Sequence, residues 1–147
     1  MEMRWRVVGE ENCFACGGKN PIGLHLEFDG VDGIVHATYR AEQRFVGWDD
    51  VLHGGITATI LDEAASYVPY SMGFVTVTAR LEVRYSLPIR VDEVLSIEGR
   101  FIDRRRNIVQ AESVIRDADG VVRASALAKL AVLGERGAEV RGARQFL

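Results

Sequence analysis

HGGITATILDEAASY (53–67) sets a histidine and two glycines ahead of a run with helical periodicity that carries two neighbouring acids, Asp62 and Glu63. Ile56, Ile60, Leu61, Ala64, Ala65, Tyr67 and Val68 fall on one broad arc of that helix, while Asp62 and Ser66 share a polar stripe one turn apart. The helix begins near His53 and ends around VPYSMG (68–73), where Pro69 and Gly73 are stop signals. Ala58, Ala64 and Ala65 are small enough for a sheet, or another helix, to approach closely. Asp62 borders the apolar arc of a helix expected to be largely buried, and a buried carboxylate without a partner is costly enough to need a reason. Periodicity alone does not separate Asp62 from Glu63.

The sequence on either side of this helix reads as strand. GLHLEFD (23–29) and GIVHATYR (33–40) alternate apolar and polar residues around Gly30 to Gly33, the pattern of a hairpin. AEQRFVGWDDVL (41–52) is a loop. After the helix, 74–87, 93–103, 107–117 and 121–133 are rich in β-branched residues, with DADG (117–120) as a hairpin turn. One long helix with five or six antiparallel strands before and after it describes an α+β domain whose sheet wraps the helix. Residues 1–147 read as a single domain with its core at about 12–133, and 134–147 as a loosely held tail.

Composition narrows the function classes. The chain is 48% hydrophobic and 27% charged with a net charge of -3, and its 18 basic residues are scattered apart from DRRRN (103–107). No strip of positive charge suits a nucleic-acid backbone, and no apolar run is long enough for a membrane span. The start carries no secretory pattern, so the cytoplasm is the expected location. Cys13 and Cys16 have a spacing that supplies two of zinc's four ligands, but no second pair completes a site within the chain. The turn-forming GGKNPIG that follows them does not suit a redox motif. A structural or incidental role is assigned to the pair, zinc shared between subunits being the alternative, and no metal or cofactor is expected.

The hairpin, then VLHGGITATILDEA (51–64), then VTARLEVRYSLPIR (77–90) together resemble the hotdog-fold acyl-CoA thioesterases, in particular the phenylacetate-pathway (PaaI-like) branch. The resemblance covers about residues 12–133, and its specific signal is HGG followed by an acid nine residues after the histidine. It implies a hotdog fold and hydrolysis of an aryl- or medium-chain acyl-CoA, with coenzyme A as part of the substrate. By the same resemblance the Gly54 amide polarises the thioester carbonyl, Asp62 acts as general base or nucleophile, and Thr78 sits beside the acid.

Elementary chemistry agrees with that assignment. Glycines without Cβ let a carbonyl come close to the unpaired amides and the positive dipole end of a helix, where developing negative charge is favoured. Eight residues of helix, however, separate Gly54 from Asp62 by about 12 Å, too far for both to act on one carbonyl. Two subunits resolve this if Gly54 of one faces Asp62 of the other, so a homodimer is expected to build the site, and the family often joins two dimers into a tetramer. On a regular strand Thr78 shares a face with Arg80, Glu82 and Arg84, leaving Leu81, Val83 and Tyr85 for the core.

His53 is read as a cap or brace of the glycine turn, with proton transfer as its catalytic alternative. Gly55, Ser66 and Glu63 are further candidates around the acid and the turn, and Trp48 is a candidate wall of the acyl pocket or a side chain packed on its own loop. Some branches of the family carry Asn or Gln six residues before the HGG histidine, where this chain has Gly47. Arg104 and Arg105 are candidates for the phosphates of coenzyme A, because arginine offers bidentate contacts. The rival reading is a hotdog protein that binds acyl-CoA without cleaving it. A dehydratase ranks last, since His53 does not reach the Asp62 of its own chain.

Overall fold

The fold is taken from a computed structural model of the chain, which describes residues 3–5 and 11–136. Among the described residues, seven strands and one main helix follow the order β1 (Met3–Trp5), β2 (Phe28–Val31), β3 (Ile34–Arg40), α1 (Gly54–Ser71), β4 (Phe74–Tyr85), β5 (Val94–Arg105), β6 (Ile108–Arg116) and β7 (Val122–Glu135). A 3-10 turn, Gln43–Phe45, lies between β3 and α1. All neighbours in the sheet are antiparallel, in the spatial order β1-β2-β3-β5-β6-β7-β4. Six of these strands make up the expected wrap and β1 adds a short seventh. No described helix is long and apolar enough to cross a membrane.

Turn chemistry fixes the hairpins. Asp32 and Gly33 both have positive φ, 49° and 91°, and link the paired residues Val31 and Ile34 as a two-residue turn whose twist suits the strands. The strand expected over 23–29 is shorter: it begins at Phe28. Leu24, Leu26 and Phe28 do alternate into the core, but the Leu24 and Leu26 amides donate to Phe14 and Ala15 carbonyls instead of to a ladder. At the other end β7 runs to Glu135, two residues into the stretch read as tail, and 137–147 lie outside the described residues.

Helix α1 lies across the concave face of the sheet. Ile60, Leu61, Ala64, Ala65 and Val68 have no exposed surface and pack on Val35, Leu95, Ile97, Ala111, Ile115 and Leu130. Each fully buried Ile or Leu is worth about 1.5–3 kcal/mol relative to exposure. Helix and sheet approach closely at Gly99, where an added Cβ would fall 2.5 Å from the Ala64 carbonyl oxygen. Ser113, fully buried on β6, donates from Oγ to the Leu61 carbonyl at 2.8 Å. Pro69 does not stop the helix. It sits within the last turn, which runs on to Ser71 before Gly73, at φ +100°, turns the chain into β4.

Candidate active site

The first half of the site is the start of α1. His53 is the N-cap, and its Nδ1 accepts the Gly55 amide at 2.9 Å, which satisfies one of the donors a helix start leaves over. The His53 carbonyl takes the amides of Ile56 and Thr57. Among the described residues the Gly54 amide has no acceptor, so the two glycines divide their roles: the Gly55 N–H is consumed by the cap, and the Gly54 N–H remains available. Their steric needs differ as well. A Cβ on Gly55 would meet the His53 ring at 3.1 Å, whereas one on Gly54 would make ordinary contact with the Tyr85 ring at 3.6 Å. Packing is therefore tight at 55, where the His53 ring must give by a few tenths of an ångström, and open at 54.

Tyr85, read from the sequence as a core residue, belongs to this half of the site. Its hydroxyl donates to the Gly54 carbonyl at 2.7 Å while its side chain is 56% exposed overall. A recess of about 320 Å³ opens beside it, lined by Leu52, Gly54, Thr57, Leu87, Pro88 and other residues. That is the lower end of the size range of small-molecule sites. A tyrosine at the end of an alternating strand carries no signal that separates this use from core packing.

The second half is the third turn of the helix. Thr78 Oγ1 donates to Asp62 Oδ1 at 2.7 Å, bringing together the acid and the hydroxyl. The expected strand face for Thr78 is corrected by the register of β4. Thr78 lies opposite Leu130 and Arg80 opposite Lys129, so two steps along β4 match one along β7 and Ala79 is the extra residue of a β-bulge. Leu130 is buried against the helix and Lys129 is exposed on the outer face. The bulge thus puts Thr78 on the helix side with Leu81, Val83 and Tyr85, and leaves Arg80, Glu82 and Arg84 outside. No sequence signal marks a bulge in VTARLEV.

The two halves are on one regular helix and stay about 12 Å apart along its axis. Other candidates do not join them. Ser66 spends its hydroxyl on the Asp62 main-chain carbonyl at 2.9 Å, an i−4 helix bond, and does not meet the carboxylate. Trp48 stands in solvent at 91% exposure, neither packed on its loop nor lining the recess. Arg104 lies three strands from Thr78 along the row Thr78, Leu130, Val109, Arg104, about 14 Å away at sheet spacing. Its guanidinium covers the Phe74 ring at 4.6 Å and its Nε donates to the Arg106 carbonyl. Arg105 is exposed and 3.7 Å from Asp103.

Glu63 turns away from Asp62 toward the N-terminal loop, where Cys13 Sγ lies 3.8 Å from its Oε1. Burial, reinforced by the Glu63 carboxylate, pushes the Cys16 thiol well above its ordinary range. Burial and the hydrogen bond with Cys16 do the same to the Tyr67 hydroxyl.

One central helix wrapped by antiparallel strands is the architecture of the hotdog fold. Residues 49–124, just over half of the chain, match the thioesterase superfamily, and the chain belongs to that superfamily. Among solved structures it is similar to a hypothetical thioesterase of Streptococcus pneumoniae TIGR4 with coenzyme A, at 25% identity and TM-score 0.73, covering 76% of this chain and 91% of that one. A Streptococcus mutans UA159 protein bound to acetyl-CoA gives 22% identity and TM-score 0.72, with 76% and 90% covered. The PaaI protein of the E. coli phenylacetic acid degradation operon gives 16% and 0.71, with 77% and 83% covered. No curated protein sequence matches.

Proposed function

We propose that the protein hydrolyses an acyl-CoA thioester with an aryl or medium-chain acyl group, Asp62 serving as general base or nucleophile. The observation that carries this reading is the Thr78–Asp62 hydrogen bond at 2.7 Å, a carboxylate oriented by a hydroxyl at the open margin of the helix. The superfamily and the streptococcal relatives bound to acetyl-CoA and coenzyme A support a CoA thioester as the substrate. The pneumococcal protein has also been solved with an aspartate and, separately, a threonine replaced by alanine. Those two residues are sixteen positions apart, the same separation as Asp62 and Thr78, which supports Asp62 over Glu63.

In this mechanism Asp62 takes a proton from water as the water adds to the carbonyl carbon, and Thr78 holds the carboxylate in line. The tetrahedral oxyanion is stabilised by the Gly54 N–H and the helix dipole, and collapse expels the coenzyme A thiolate. No cofactor or metal is needed for these steps. Arg105 is the better placed of the two arginines to meet coenzyme A phosphates, since Arg104 is engaged on Phe74. The reading locates the protein in the cytoplasm.

A homodimer supplies the missing juxtaposition. β4 is a twelve-residue strand at the edge of the sheet, and an uncovered edge of that length invites pairing. If it pairs antiparallel with its own copy about a twofold axis at Glu82, Leu81 faces Val83 of the second copy, so like faces stay together. The same register sets Tyr85, which holds Gly54, against the Ala79 bulge of the other copy and hence beside its Thr78 and Asp62. Two equivalent sites result, and further pairing of two dimers is compatible with them.

The test is release of free thiol from a panel of aryl- and aliphatic-CoA esters by the wild type and by Asp62→Asn. A fall of about 100-fold or more with the dimer intact is the expected result. A folded dimer that binds CoA esters and turns none of them over would leave the ligand-binding reading in its place.

A further inference from the structure

The geometry points to a divalent metal site at Cys13, Cys16 and Glu63, of the thiolate-rich kind that suits zinc. The sequence supplies only two ligands at that spacing; the third comes from α1, fifty residues on. The two sulfurs and a Glu63 carboxylate oxygen lie within 4.8 Å of one another, with 3.8 Å between Cys13 Sγ and Glu63 Oε1. Donors around a tetrahedral zinc at ordinary Zn–S and Zn–O lengths are about 3.5–3.8 Å apart, so closing the triad needs shifts of no more than about 1 Å.

Two further features fit the role. The Cys16 amide donates to Cys13 Sγ at 3.4 Å, the kind of N–H···S contact that favours a thiolate ligand. The loop that aims both sulfurs inward closes over Gly17, where a Cβ would fall 2.4 Å from the Cys13 nitrogen, and the Gly17 amide bonds back to the Cys13 carbonyl at 2.9 Å. Two thiols and a carboxylate converge in half-buried space, a donor set that suits a borderline metal once the thiols give up their protons. Binding M²⁺ releases the two thiol protons to solvent and replaces the Cys13–Glu63 contact by three metal–ligand bonds, with a water completing the tetrahedron. The bound ion ties the 13–17 loop to the residue next to Asp62. It bears on the rigidity of that helix turn and takes no part in hydrolysis.

The test uses the untagged full-length protein, reduced and then loaded with Co²⁺ or Zn²⁺ and dialysed. The expected result is one metal per chain and, for cobalt, near-UV thiolate-to-metal charge transfer with tetrahedral visible bands. Cys13→Ser/Cys16→Ser loses both signals. Glu63→Gln keeps the charge-transfer band but yields the metal to a competing chelator at least about 10-fold more readily, the least that loss of a supporting partner usually costs. Absence of stoichiometric binding, binding that survives the double serine substitution, or unchanged affinity in Glu63→Gln would overturn the site. Should the double variant not fold, the wild-type stoichiometry and Glu63→Gln decide alone. The readout is metal and not turnover, so it is separate from the thioesterase reading.

Discussion

Thr78 reaches Asp62 because Ala79 is an extra residue in β4: the bulge turns the hydroxyl to the helix side, and it donates to the carboxylate at 2.7 Å. A hydrogen bond to a charged group is worth about 1.5–3 kcal/mol, which as lost transition-state alignment corresponds to about 10- to 100-fold in rate. Thr78→Val is therefore expected to lower kcat by that factor with little change in KM, and Thr78→Ser to retain most of the activity. Steady-state kinetics on a CoA ester decides; equal activity in the valine variant would remove Thr78 from the mechanism.

Gly54 and Gly55 are expected to separate stability from activity. Gly54→Ala meets only ordinary contacts at 3.6 Å, so the fold stays as stable as the wild type or gains up to about 1 kcal/mol from the smaller entropy of its unfolded chain. Its methyl group nonetheless fills the approach to the free amide, and turnover should fall by about 10-fold or more. Gly55→Ala pushes on His53 at 3.1 Å and disturbs the cap, which costs about 0.5–2 kcal/mol. Thermal unfolding beside thiol release reads both effects. A destabilised Gly54→Ala would make that glycine a packing residue.

Gly99 is the point where helix and sheet touch without room for a side chain. Gly99→Ala places a methyl 2.5 Å from the Ala64 carbonyl and 2.9 Å from Val68 Cγ2, so α1 must lift or β5 must bend. Overpacking of this kind costs about 1–3 kcal/mol, or more against backbone, and should appear as a lower urea midpoint with the slope unchanged.

Arg123 links three segments: it donates to the Pro88 carbonyl, to Glu93 Oε1 at 2.6 Å and to Asp117 Oδ2 at 2.8 Å. The Val121 amide, with further help from the Arg123 guanidinium and the Asp119 amide, holds the Asp117 carboxyl below its ordinary 3.8. A carboxyl whose folded value is depressed stabilises the fold fully above its unfolded value, and that stability is lost as pH falls through the folded one. The stability gap between wild type and Asp117→Asn should thus be constant above about pH 5 and close below 3.8. Melting temperatures across that range provide the check; a gap that persists at low pH would assign the effect to shape and not to charge.

The parts legible in the sequence are those governed by period and local chemistry. The helix over 54–71, the alternation of β3, β5, β6 and β7 and the presence of a hairpin turn before Ile34 follow from spacing that any short window contains. The bulge at Ala79 was not legible, because it is set by pairing with β7 and leaves VTARLEV looking like an ordinary strand. Tyr85 was hidden for the same reason, since its partner is a main-chain carbonyl thirty-one residues away. The short β2 and the meeting of Cys13 with Glu63 depend on how the 11–27 loop folds over the sheet, a tertiary arrangement with no periodic signature.

If each site combines Gly54 of one subunit with Asp62 of the other, complementation has a definite arithmetic. Asp62→Asn homodimers keep two good amides and no base; Gly54→Val homodimers keep two bases behind blocked amides. Mixed and allowed to exchange in equal amounts, half of the dimers are heterodimers, and each of these has one intact site out of two, so about a quarter of wild-type activity should return. A site built within one chain predicts no recovery, because every chain then carries its own lesion. Activity measured against mixing ratio, with exchange confirmed by mass-tagged subunits, separates the two. Recovery near a quarter requires the twofold contact, whereas a flat baseline under proven exchange would leave the 12 Å between Gly54 and Asp62 to be closed some other way.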